Sequence, residues 1–170
     1  MTGTPAESAR RRLARHPIRR FVHRLPLLLE RAGLPVPTGL FTVDWIVLET
    51  VGRRSGRPHV VVLDVIARDH DPDRFYVQPA NGAASDWVRN VRHEPRVTAR
   101  VGGRRFAAVV RDVTGSEGAD AMLRFVRAHP RYARVVAWLV GHVRGLHRSD
   151  ADLRPELRGI PTFAVEPSGR

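Results

Sequence analysis

The sequence contains neither cysteine nor lysine in its 170 residues. Without cysteine there is no disulfide, no thiolate nucleophile and no cysteine-ligated zinc or iron–sulfur centre. Without lysine there is no Schiff base and no lysine general base, and all 29 basic residues are arginine. Aromatic residues make up only 6%, too few to interleave a basic strand face with the stacking rings of nucleic-acid modules, so no specific nucleic-acid partner is expected. Long apolar runs are missing too. None reaches the roughly 20 residues that cross a bilayer, and none precedes a small-residue cleavage site. The expected location is the cytoplasm.

What is present suits one folded domain: 42% hydrophobic and 27% charged residues. The unusual quantity is the formal net charge of +12, which calls for an anionic partner such as nucleic acid, a membrane surface or a small phosphorylated ligand. Residues 1–35 hold eight arginines and two glutamates, a net of +6, and the other 135 residues supply the remaining +6. From Ile18 the apolar residues Phe21, Val22, Leu25, Leu28 and Leu29 recur at helical spacing, with Arg19, Arg20, His23, Arg24 and Arg31 on the other face. This reads as a basic amphipathic leader over 1–38 that Pro26 kinks. Such a helix either packs on the domain with its arginines in water or lies, through residues 17–31, on an anionic membrane surface at the inner face of the plasma membrane.

The body, 39–167, alternates short β-rich runs with turns, before a tail at 168–170. Strands are expected at Val43–Val51, Val60–Ala67, Phe75–Gln78, Val97–Val101, Phe106–Val113 and Ile160–Val165. Gly102-Gly103 is a two-residue hairpin turn. Helices are expected from Ser85 through Glu94, from a cap at Ser116, and from about Arg131 with Tyr132, Val135, Val136 and Leu139 on one face. Residues 141–159 have mixed charge and little periodicity and read as a long connection or lid. Hairpins dominate and no βαβ alternation occurs, which makes the class α+β: a small barrel of about six mostly antiparallel strands with peripheral helices.

Two clusters could carry chemistry. The first hairpin tip, Gly52-Arg53-Arg54-Ser55-Gly56-Arg57-Pro58, places three guanidinium groups and a hydroxyl between glycines, where backbone N–H groups and bidentate arginines suit a phosphate or carboxylate. The same composition also fits a solvated turn. The second is Asn81-Gly82 with Ser85, Trp87 and Asn90, where a helix start can meet an anion and a ring can pack on Trp87. Asp64 interrupts an otherwise apolar strand, and a buried carboxylate there is either a general acid facing a pocket or the partner of an arginine. Tyr132 can donate to a developing oxyanion or simply line the core. The eight histidines show no metal-ligand spacing, so no metal is expected.

The string from Leu48 to Pro58, with Asn81-Gly82, Trp87-x-x-Asn90, Pro95-x-Val97 and Ile160-Pro161…Glu166-Pro167, resembles the deazaflavin-dependent nitroreductase family of actinobacteria, which includes F420H2-dependent quinone reductases. The resemblance implies a split β-barrel like that of flavin-mononucleotide-binding proteins, with coenzyme F420 as cofactor. It further implies hydride transfer from the reduced coenzyme to a quinone, nitro compound or other small apolar acceptor. On that reading Arg53, Arg54, Ser55 and Gly56 hold the phosphate, Arg57 reaches the glutamate tail, and Asn81, Gly82, Trp87 and Asn90 frame the deazaflavin. The resemblance also makes a homodimer one expected state, since barrels of this kind often pair, and some family members carry a membrane-associating N-terminal helix. The chain departs from the family at Ala80, where a lysine is common, at Val88, where a tyrosine is usual, and at Asp64, where another tyrosine stands. These departures keep two alternatives open, FMN as the cofactor and a non-redox barrel that binds a fatty acid, lipid or haem-like ligand. If the leader binds membranes, the full chain floats with anionic liposomes and a chain starting near Gly39 does not; equal flotation of both places the leader on the domain.

Overall fold

The computed structural model describes residues 44–130, 133–134 and 148–169; the leader and Tyr132 lie outside them. Six strands form a closed antiparallel barrel: β1 (Trp45–Val51), β2 (Pro58–His70), β3 (Asp73–Val77), β4 (Arg96–Val101), β5 (Arg104–Asp112) and β6 (Phe163–Pro167). Their order around the barrel is β1-β2-β3-β6-β5-β4, and β4 closes the ring on β1. The helices are α1 (Asp86–His93), α2 (Ser116–Ala128) and α3 (Asp150–Leu157). Among the described residues no helix is long and apolar enough to cross a membrane.

Period-two alternation decides the inside of the barrel. Ile46, Leu48 and Thr50 of β1 point inward and are fully buried, and they meet Leu63 and Val65 of β2, Phe75 and Val77 of β3, and Phe163 and Val165 of β6. Helix α1 lays Trp87, Val88 and Val91 into the same core. A second cluster lies outside the sheet under α2, where Phe125 and Val126 cover Ile66, Tyr76 and Ala164. Ile66 lies on that outer face by alternation from inward-facing Val65, and the register shift of β2 between Val65 and Ala67 keeps Ala67 on the same outer side, opposite Tyr76.

The Gly102-Gly103 turn has φ of +54° and +81°, the left-handed pair that a primed two-residue hairpin needs. Strand β2 runs longer than its apolar stretch suggests, because its first half pairs with β1 and its second with β3. Ser85 does occupy the residue before α1, but its hydroxyl makes no capping bond. Gly115, at φ +125°, precedes α2 in place of Ser116, which is the first helical residue. The helix expected from Arg131 is described only at Ala133 and Arg134, both helical.

Within 141–159 the structure contains a helix where only a connection was expected. Ser149 Oγ accepts from the Asp152 N–H and starts α3, whose Leu153 and Leu157 are buried against Ala119 and Leu123 of α2. Arg154 pairs with Asp120 beside them. With only two large apolar residues, Leu153 and Leu157, four apart, the segment shows too little periodicity to be read as a helix.

Ion pairs fasten the outside. Arg111 bridges Glu117 of α2 and Glu166 of β6 at 3.1 and 3.0 Å, and Arg74 of β3 reaches the same Glu117. At the barrel end that holds the β4–β5 turn, Asp73 accepts from Arg68 Nε at 3.0 Å and from Arg104 Nη2 at 2.7 Å. These two guanidinium groups cover the rings of Phe75 and Phe106. Burial pushes the Asp73 carboxyl up, and the two arginine bonds outweigh it and hold it below the ordinary carboxylate value. Leu153→Ala is expected to lower stability by about 2–5 kcal/mol in urea unfolding, as for a fully buried leucine; a change within 0.5 kcal/mol, the ordinary range of a surface substitution, would mean that α3 contributes little to the core.

Candidate functional site

The β1–β2 connection is built around Gly52. Its N–H donates to the Arg57 carbonyl at 2.8 Å, and its own carbonyl accepts from the Gly56 N–H at 2.8 Å. The space a Cβ would take on Gly52 is filled by Ser55 Oγ and the His59 ring, both 2.7 Å from that point. Gly56 sits at φ +62°, a conformation that costs glycine nothing. Ser55 Oγ accepts from the Arg57 N–H at 3.3 Å and closes the tip. Arg54, Ser55, Gly56 and Arg57 are left exposed in solvent.

Arg53 turns the other way and ties the tip to α1. Its backbone N–H and its Nη1 both donate to Asn90 Oδ1, at 3.3 and 3.1 Å. Nη1 and Nη2 also donate to Asp86 Oδ1, each at 3.2 Å. Asn90 is buried and donates from Nδ2 to Thr50 Oγ1 at 3.4 Å, while Thr50 Oγ1 donates to the His59 carbonyl at 3.2 Å. Thus one buried amide holds β1 and the arginine at the tip, and Thr50 passes the link to β2. The spacing of Asp86 and Asn90, one helical turn apart, places both on the side of α1 that meets Arg53.

Trp87 is buried, with its ring edge-on to Phe163 at 5.1 Å between centroids. Asn81 is exposed, and Gly82, at φ +66°, opens the short 3-10 turn Gly82–Ala84 that leads into α1. The exposed Ala80 puts no charge on this loop. The structure therefore brings Arg53, Arg54, Ser55, Gly56 and Arg57 together with Asn90, next to Trp87, through Arg53. Asp64 does not join them. It pairs with Trp45, six positions along the ladder from the Val51–Pro58 pair that bears the tip, a separation of roughly 20 Å. It stands on the outward face of β2 because inward-facing Leu63 and Val65 flank it, and it is half-buried where a buried carboxylate was expected. Asp86 and Thr50 are not singled out by the sequence; the Asp86–Asn90 helical spacing is the available signal.

Charge pairing distinguishes the tip from the rest of the surface. Among the described residues, most arginines share a carboxylate, as at Asp73, Glu117, Asp112 and Asp150. Arg54, Arg57, Arg89, Arg134 and Arg158 have guanidinium groups with no such partner, and Arg54, Arg57 and Arg89 stand on the tip or on the helix fastened to it. Unpaired guanidinium groups around an exposed serine make a site for phosphate or carboxylate oxygens. Among the described residues no three His, Cys, Asp or Glu side chains are grouped as metal ligands.

The F420H(2)-dependent quinone reductase family profile matches residues 26–140, more than half of the chain. The chain belongs to this family. Its coenzyme is F420. Comparison with curated proteins gives no match. Among solved structures the chain is similar to an F420-H2 dependent reductase, FDR-A, at 21% identity and TM-score 0.49, over 72% of this chain and 93% of that one. It is also similar to a domain-swapped dimer at 18% identity and TM-score 0.49, over 96% and 100% of the two chains. A pyridoxamine 5'-phosphate oxidase-related, FMN-binding protein of Nostoc punctiforme matches at 12% identity and TM-score 0.46, over 91% and 82%. Asn90→Ala is expected to cost about 1–3 kcal/mol in urea unfolding, since the Arg53 N–H loses its acceptor and the buried Thr50 hydroxyl loses the donor to its oxygen; an unchanged midpoint would mean that the hairpin is held elsewhere.

Proposed function

We propose that this family member is an F420H2-dependent oxidoreductase whose hairpin tip holds the anionic tail of the coenzyme and whose acceptor is a quinone, a nitro compound or another small apolar molecule. The observation that carries this reading is the set of unpaired guanidinium groups on Arg54, Arg57 and Arg89, in a chain that neutralises most of its described arginines. The donor set fits the group. Arg54 and Ser55 are exposed side by side for a phosphate, Arg57 stands next to them for a carboxylate, and the turn around Gly52 keeps them in place.

When bound, the coenzyme supplies the hydride; the protein orients it and excludes water. Trp87 and Asn90 are held rigidly, one by Phe163 and the other by Thr50 and Arg53, so the wall they form below the tip does not need to reorganise. The basic leader, residues 17–31, would bring the chain to an anionic membrane surface, where apolar quinones partition.

Fluorescence titration with F420 beside FMN, followed by anaerobic oxidation of F420H2 with menadione, tests the reading. The wild-type chain is expected to bind F420 in preference to FMN and to turn over, and Arg54→Gln or Arg57→Gln to weaken F420 binding by about tenfold, the scale of one charge-assisted hydrogen bond. Failure to bind F420 would overturn it, and preference for FMN would move the chain to a flavin-dependent activity.

A further inference from the structure

The barrel end that holds the β4–β5 turn is lined differently from the middle. Cross-strand partners share a face, so the pairs Arg68–Phe75 and Val101–Arg104 put two arginines among the inward-facing residues there. With Trp45 and Gly102 these four residues line a cavity of about 300 Å³. That volume is at the lower limit of ligand pockets, and the mouth of a barrel is a usual place for one. Trp45 stands six ladder positions from the Val51–Pro58 pair that bears the hairpin tip, so the cavity lies roughly 20 Å from Arg54 and Arg57.

Both guanidinium groups are held in place before any ligand arrives. Arg68 lies over the Phe75 ring at 4.6 Å and Arg104 over the Phe106 ring at 4.9 Å, and the two rings stack at 5.9 Å between centroids. Asp73 accepts one bond from each, from Arg68 Nε at 3.0 Å and Arg104 Nη2 at 2.7 Å. Each arginine therefore keeps further N–H groups for another oxygen, and two guanidinium groups against one carboxylate leave a positive charge. Asp44 also lines the cavity, but it is exposed, where water and salt screen its charge. We propose that this mouth is a second binding site, for a small monocarboxylate with a flat apolar body. The carboxylate meets Arg68 and Arg104, and the body lies against Trp45, Phe75 and Val101. A wholly apolar molecule would cover the guanidinium groups without replacing their water, and a second negative charge would face Asp44 and Asp73.

Calorimetric titration of the full chain with 2-naphthoate, beside the uncharged 2-naphthylmethanol, tests this. Naphthoate is expected to bind at least tenfold tighter than the alcohol, and F420 should not displace it. Arg104→Gln should weaken naphthoate by about tenfold, the scale of one charge-assisted hydrogen bond, and the Arg104 side chain is 58% exposed, so the fold does not depend on it. Val101→Phe, which fills the cavity, should abolish binding in a chain that still unfolds cooperatively. No binding of naphthoate, equal binding of the two compounds, displacement by F420, or unchanged affinity in Arg104→Gln would each overturn the proposal. A chain that binds naphthoate as expected but not F420 would overturn the functional reading and leave this site standing.

Discussion

Closure of the sheet is the constraint from which the other features follow. Because β4 pairs with β1 on one side and β5 on the other, every strand has two neighbours and no edge is offered to another chain. A ring of only six strands encloses a space that its own side chains fill. Here Ile46, Leu48, Phe75, Val77, Phe163 and Val165 are buried in it. The exposed charged groups of the first hairpin stand on a connection, where loops on a rigid frame carry function.

The β1–β2 connection meets that requirement through one buried amide. Asn90 accepts from Arg53 and donates to Thr50, so a single side chain joins the tip, β1 and α1, and Thr50 carries the link on to β2. Buried polar groups of this kind are costly unless paired, and pairing makes their geometry specific. Arg54 and Arg57, by contrast, are left without partners in water. Rigidity underneath and free charge on top are what an anion site needs. Glycine at position 52 is part of the same arrangement, because Ser55 and His59 occupy the space of its missing side chain.

Much of this was legible in the residues, for physical reasons that differ from case to case. The strands showed in runs of β-branched residues, and the 102–103 turn showed because two adjacent glycines have few other uses between such runs. The tip was legible as an anion site from its composition. Its internal division was not: Arg53 looks like Arg54 in sequence, yet one is fastened to Asp86 and Asn90 and the other is free. Helix α3 escaped because two leucines make a weak pattern, although both are fully buried once α2 is beside them. Asp64 looked like a buried acid because its neighbours are apolar, and the alternation of the strand turned it outward.

The arginine-only charge, the absence of thiol and lysine chemistry, the hairpin succession and the phosphate-suited tip follow from the sequence alone, since each depends on residue type and local spacing. Tertiary structure decided which arginines are neutralised and which remain free, because pairing joins residues far apart in the chain, such as Arg53 with Asp86 or Arg111 with Glu166. It also decided which face of each strand is interior. A local pattern gives the alternation, but only closure of the ring says which of the two sides has water on it.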